Sequence, residues 1–322
     1  MSESPIAARA YAESDAQAWD ELVVEAPMAT FLHSRRFLSH HRDRFADASC
    51  LILDEGANLV GVLPAATDPT DASCVVSHPG LTYGGLVHKG GLHGERAIAA
   101  LEALCSHYRR LGFETLRYKA VPYIYHRAPC SDDIYALFRC DAVRYRSNLS
   151  CTIDLANRRD PSSRRKRALK KAQKHGVDVR EGPECASALW PVLEQNLASR
   201  YGAAPVHSLA EIEHLHGLFP DNLAFVVASQ EGDVTAGVVL FKSDAVVHAQ
   251  YIAAGDRARD TGALDAVFEY AIARAAQSGV RYFDFGTSNE DGGRRLQVGL
   301  YQFKAEFGGG GVSHDFFALS LS

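Results

Sequence analysis

The chain has 322 residues, 47% of them hydrophobic and 23% charged, with a formal net charge of −5. That length suits about two domains with substantial cores, and the acidic balance excludes a surface coated throughout for nucleic acid. No apolar run approaches the roughly 18–20 residues needed to cross a bilayer. The polar, acidic start lacks the basic and apolar regions of a secretory signal, so a cytoplasmic protein is expected. Seven cysteines without a C-x-x-C pair argue against a disulfide framework or a zinc ribbon, and no metal site is expected.

In chain order, residues 6–10 read as a strand and 15–26 as a helix stopped by Pro27. A second helix runs to about residue 44. The apolar runs 51–53 and 59–66, separated by a turn-like segment, read as a hairpin, and 73–77 as another strand. The stretch 78–87, with a proline, a tyrosine and three glycines, marks a loop of special backbone geometry whose amides and Tyr83 hydroxyl are candidates to line a pocket. Residues 95–111 are amphipathic at helical spacing, with Gly112 as the stop. A strand at 115–120, a short helix at 132–139 and a strand at 143–153 complete the first half.

The second half opens with an unusual helix. Between Arg158 and Lys174 lie nine Lys or Arg against one acid, Asp160. Ser162 or Ser163 caps the helix, which runs to about His175. Its apolar stripe is only Ala168, Leu169 and Ala172, so most of it is expected to be exposed. A strand (177–179) and two helices (185–199 and 209–219) follow. Three strands (224–229, 235–242 and 245–253) then form an antiparallel meander. A long amphipathic helix (262–278) leads to a strand at 282–285, a polar segment (287–295), a helical stretch (296–307) and four glycines (308–311). Both halves share one order: helices, a meander, a long helix ending in Gly, then a strand. The expected fold is α/β (α+β), with tandem domains 1–150 and 151–322, each a mixed, mostly antiparallel sheet flanked by helices.

That order resembles the GNAT arrangement used twice, and particular residues extend the likeness. Ser162 to Ala172 with Gly176-Val177 resembles a Ser-rich start followed by a basic helix and a Gly-Val turn. Ala249 to Ala254 resembles a central strand. Tyr282-Phe283-Asp284-Phe285-Gly286, then Gly299-Leu300 through Phe303-Lys304 to Phe307-Gly308, resembles a "Y-x-D-F-G … G-L-x-x-F-K-x-x-F-G" ending. His78 to Leu86 is similar to a first-half loop. These stretches are similar to the Fem-type (FemABX-like) aminoacyl and acyl transferases, in the BioF2-like branch of the GNAT superfamily. The resemblance covers residues 145–318 well and 1–144 more loosely.

The resemblance implies amide formation: an acyl or aminoacyl group moves onto an amine of a small-molecule or peptide acceptor. It offers aminoacyl-tRNA as donor, with acetyl- or acyl-CoA as the alternative. A non-catalytic binding module on a double GNAT scaffold is a third class. CoA-using GNAT enzymes carry a [Q/R]-x-x-G-x-[G/A] loop at a helix start, where glycines and N-terminal amides meet pyrophosphate. Here the nearest match, Arg259 to Leu264, ends in Leu and carries Asp260, which weakens a CoA donor. The basic helix favours a polyanion, through phosphate rather than base contacts because no aromatic residue interleaves it. Arg164, Arg165, Arg167, Lys170 and Lys171 are its candidate tRNA phosphate contacts. The opposing reading is a solvated helix balancing an acidic surface.

By resemblance, Lys304 is the catalytic cation near the leaving oxygen, where fixed positive charge contributes most. Asp284 either orients or deprotonates the amine or is a structural carboxylate. Arg36, His78, Tyr83, Tyr251, Asn289 and Tyr301 are candidate substrate contacts. At the place on the second helix where the family often has lysine, this chain has His40 and His41.

Overall fold

The computed structural model describes residues 6–321. The chain forms two compact units. The first comprises the chain through Asn148 with Glu290–Arg295 and the segment from Ser313; the second comprises Leu149–Asn289 and Leu296–Val312.

In the first unit, β1 (Ala7–Ala10) precedes helices α1 (Ala16–Glu25) and α2 (Arg35–Leu38). Strands β2 (Cys50–Leu53) and β3 (Leu59–Leu63) form the expected hairpin, and β4 (Ala66–Asp68), β5 (Asp71–Val76) and β6 (Val87–His88) follow. Helix α3 (Glu95–Arg110), strand β7 (Thr115–Lys119) and helix α4 (Asp132–Arg139) complete it. One sheet is antiparallel in the order β1-β2-β3-β6. In the other, β4 is antiparallel to β5, and β5 is parallel to β7. The core packs Ile98, Leu101, Leu104 and Tyr108 of α3 against Ile52, Leu63, Val75 and Leu116 from the strands. This is the apolar stripe read from the sequence.

Strand β8 (Val143–Asp154) carries the chain into the second unit. There α5 (Ser163–Lys174), β9 (Asp178–Glu181), α6 (Cys185–Tyr201) and α7 (Leu209–Leu218) lead to the meander β10 (Leu223–Gln230), β11 (Asp233–Lys242) and β12 (Val246–Ala254). A short helix α8 (Asp256–Thr261) and the long α9 (Ala263–Ser278) precede β13 (Tyr282–Thr287). Two-residue strands β14 (Asn289–Glu290) and β15 (Arg295–Leu296), helix α10 (Val298–Ala305) and strand β16 (Gly310–Ser320) finish the chain. The sheet order is β8-β13-β12-β11-β10-β9. All neighbours are antiparallel except β12 and β13, which run parallel around α9 as β5 and β7 do around α3. Each unit is therefore a mixed, mostly antiparallel sheet flanked by helices.

Two differences from the sequence reading concern the closing stretch. The sequence reading stops at the glycine run, whereas Gly310 and Gly311 open β16, whose last residues pair with β7 of the first unit, Phe316 opposite Lys119 and Leu319 opposite Leu116. The segment from Ser313 thus belongs with the first unit rather than with 151–322. Gly308 has φ of 101°, and a Cβ there would lie 2.1 Å from the Arg159 carbonyl, so two backbones meet where no side chain fits.

All seven cysteines are free thiols. No helix among the described residues is long and apolar enough to cross a membrane.

Candidate active site

The site grows from the place where β12 and β13 part. Their parallel pairing covers Val246–Tyr282, Val247–Phe283 and His248–Asp284, and ends there. On the other edge of β12, Leu240 faces Ala249 while Val239 faces Tyr251, so Gln250 is a bulge residue. A bulge bends its strand and turns it from its neighbour. Beyond the parting, β13 carbonyls lack a partner on β12, and buried carbonyls need donors.

Lys304 supplies them. It stands on α10, buried at 3% exposure, and its Nζ donates to the carbonyls of Gly286 (2.9 Å) and Thr287 (2.8 Å). Among the described residues its third N–H has no protein acceptor. Burial lowers the Lys304 pKa to about 8, against the opposing pull of Asp284.

Asp284 is completely buried. It accepts from Ser150 Oγ, from Thr152 Oγ1 (2.8 Å) and from His248 Nδ1 (2.7 Å). Three converging donors suit a carboxylate rather than a neutral acid. His248 is absent from the sequence reading. Its pairing needs a parallel register and two hydroxyls about a hundred positions away, neither of which leaves a local signal.

A cavity of about 730 Å³ adjoins Lys304 within the second unit. Leu197, Ile252, Leu264, Leu300 and Phe303 give it apolar walls. Arg164 and Lys171 of α5 and Arg259 of α8 are exposed residues of its lining, whereas Lys304, Arg165 and Asp265 are buried ones. The lining of the cavity therefore combines exposed cations, apolar walls and one buried ammonium.

Arg165 is a correction to the charge count. It is 5% exposed and pairs with Asp265 at 2.6 Å and Glu306 at 3.0 Å. Its guanidinium lies 4.6 Å from the Phe303 ring centroid. A buried, doubly paired guanidinium fastens α5 to α9 and α10 instead of meeting solvent phosphate. Burial raises the Asp265 pKa although Arg165 pulls it down. Arg158 is similarly engaged, forming a two-point pair with Glu269, and Arg159 donates to the Gly309 carbonyl. Arg164, Arg167, Lys170 and Lys171 remain exposed.

The start of α9 is also occupied. Gly262, φ 76°, ends α8 and caps α9. A Cβ there would lie 2.4 Å from the Ala168 carbonyl of α5. Arg259 to Thr261 belong to α8, so a helical turn stands where a phosphate-wrapping loop is expected.

The other candidates fall elsewhere. Tyr251 Oη is 2.6 Å from His207 Nδ1, and its ring meets Trp190 edge-on at 5.9 Å. Asn289 Oδ1 accepts from the Leu149 amide at 2.6 Å, a backbone-fixing role. Tyr301 is half-buried, and burial raises its pKa. None of these three lines the cavity. Arg36, His78 and Tyr83 are in the first unit, where Arg36 is exposed and the other two are buried. Burial, reinforced by His41 and Lys119, lowers the His78 pKa to about 3. Tyr83 donates to Thr30 Oγ1 at 3.2 Å. Lys119 holds the loop by donating to the carbonyls of His78, Pro79 and Leu81 (2.9, 3.1 and 2.8 Å). The loop's polar groups are thus largely engaged within the fold.

Residues 156–304 match the acetyltransferase (GNAT) domain family. No curated protein sequence matches the chain. Among solved structures, FemX aligns over 97% of both chains at 12% identity, with a TM-score of 0.67. L-PGS from Bacillus licheniformis aligns over 95% of this chain and 91% of its own at 10% identity, with a TM-score of 0.61. A tandem GNAT protein from the clavulanic acid biosynthesis pathway covers 99% of each chain at 13% identity, with a TM-score of 0.53. Residues 156–304 are thus similar to the acetyltransferase (GNAT) domain family, in a chain that has the fold of FemX.

Proposed function

We propose that the protein transfers an aminoacyl group from aminoacyl-tRNA to an amine of a small-molecule or peptide acceptor. The observation that carries this reading is the cavity's layout, with exposed cations on α5 and α8 and the buried ammonium of Lys304. A polynucleotide end meets the outer cations through phosphate, and its ester lies near Lys304. The amine nitrogen attacks the ester carbonyl, a C–N bond forms, and the C–O bond to the ribose breaks. Negative charge develops on oxygen, where a preorganised cation lowers the barrier most. No covalent enzyme intermediate is required.

Acyl-CoA is the second reading, supported by the GNAT domain match. Against it stands the start of α9, where the Ala168 carbonyl of α5 packs closely on Gly262. A backbone oxygen at that helix end disfavours a diphosphate there.

The test is binding of a mixed charged-tRNA pool across a salt series. The wild type should show a steep log–log slope. The triple reversal Arg164→Glu, Lys171→Glu and Arg259→Glu should flatten it by about 0.7–0.9 for each phosphate that is no longer neutralised. Absence of tRNA binding, with CoA raising the melting temperature instead, would favour the second reading.

A further inference from the structure

We propose that Asn196 reads the adenine of the donor's terminal nucleoside and so sets donor specificity in the cavity; the proposal rests on the reading just given. Asn196 stands in the second half of α6, is half-buried, and lines the cavity beside Leu197. Among the described lining residues, it and Gln297 are the uncharged polar ones; the rest of the polar lining is the cations and Asp265, which pairs with Arg165. Phosphate oxygens only accept, so the cations suffice for them. The amide Oδ1 is an acceptor and calls for a ligand group that donates.

The amide is held in one orientation. Asn196 Nδ2 donates to the Ala254 carbonyl at 2.7 Å. A carbonyl only accepts, so the nitrogen faces Ala254 and Oδ1 lies on the other side. Among the described residues, Oδ1 and the second N–H have no protein partner. An acceptor beside a donor in one plane matches the exocyclic amine and adjacent ring nitrogen of adenine, the pairing by which asparagine reads adenine in DNA. The corresponding edge of guanine carries two acceptors and suits arginine instead. Leu197, Ile252 and Leu264 offer apolar surface to the faces of the base.

The spacing suits a nucleoside esterified on its ribose. Asn196 is anchored to the end of β12, and Lys304 to β13 just beyond the parting. Ala254 lies six residues past His248, the last residue of β12 paired with β13, and Gly286 lies two past Asp284. The bulge at Gln250 takes up one residue, so the two anchors are offset by about 10–13 Å along the strand direction. An aminoacyl ester of adenosine, with one hydrogen bond at each end, has this reach. Every tRNA ends in an adenosine whose ribose carries the ester, so an ester beside Lys304 brings adenine to Asn196. In acyl-CoA the whole pantetheine and diphosphate arm separates adenine from the thioester, which is too long for the same two anchors.

The test is equilibrium binding of the full chain to two tRNA transcripts, each carrying alanine through a stable amide at its 3′ end. One ends in adenosine and the other in purine riboside, which lacks the N6 amine. The wild type should bind the adenosine end about tenfold or more tightly. Contacts to the rest of the tRNA are common to both, so the ratio reports the terminal base. Asn196→Leu has a side chain of similar size and should bind both ends equally. Its salt slope should match that of the wild type, because Arg164, Lys171 and Arg259 are untouched, and an unchanged slope also shows that the second unit is folded. Equal affinity of the wild type for both ends, or the same ratio in Asn196→Leu as in the wild type, overturns the inference and leaves the proposed function standing. A melting shift with acetyl-CoA that is present in the wild type and lost in Asn196→Leu gives this residue to the other donor and overturns it too. No binding of either transcript by the wild type overturns the proposed function and this inference with it.

Discussion

Lys304→Met lowers turnover by about 10²–10³-fold, the loss expected when one preorganised charge is removed from an oxyanion-stabilising position. Methionine retains much of the stem volume in the buried site, so the effect is not chiefly a packing loss. The Gly286 and Thr287 carbonyls lose their donor, a cost of about 1–3 kcal/mol for each buried group left unsatisfied. Circular dichroism and a denaturant melt check that the second unit still folds.

The same lysine predicts a pH signature in the wild type. Burial brings its pKa from 10.5 to about 8, so the cation is present below that value and lost above it. Turnover should fall as pH rises through about 8. Stability should move the other way. The fold disfavours the charged form, so this group's contribution is complete above the unfolded lysine range and is lost as pH falls through about 8. Activity and melting temperature should therefore diverge across this window. A turnover limb that persists unchanged in Lys304→Met would remove this lysine as its source.

Arg165→Ala is expected to cost about 3–5 kcal/mol of stability, because it strands the Asp265 and Glu306 carboxylates in the interior. It also removes the guanidinium from the Phe303 and Phe307 rings. The measurement is urea unfolding of the wild type and the variant across pH. Burial already raises the Asp265 pKa, and without Arg165 it rises further. A raised carboxyl pKa penalises folding above that pKa and stops doing so below it. The stability gap should therefore narrow as pH falls into the carboxylate range. Under folded conditions the salt slope for tRNA should be nearly unchanged, unlike that of the triple reversal on the cavity's exposed cations. A flattened slope in Arg165→Ala would return this residue to the phosphate-binding set.

Arg165 also marks a limit of reading charge by counting. The stripe Ala168, Leu169 and Ala172, extended one turn back at helical spacing, reaches position 165. The inward direction was legible, but the two acids and two rings that accept a guanidinium there come from α9 and α10. Lys304 was easier to find, because its aromatic neighbours and Gly-rich surroundings form a local pattern that resembles a family. His248 had no such pattern. Its pairing with Asp284 arose only when β12, β13 and β8 brought the two together with Ser150 and Thr152.

By itself the sequence determined the helices, the meander, the doubled order of elements and the GNAT likeness, since periodicity, caps and turn residues act over a few positions. Tertiary structure decided which cations are buried, what covers the start of α9, where β16 pairs and which imidazole meets the carboxylate. Each depends on partners distant in the chain, whose registers are set by packing rather than by neighbouring residues.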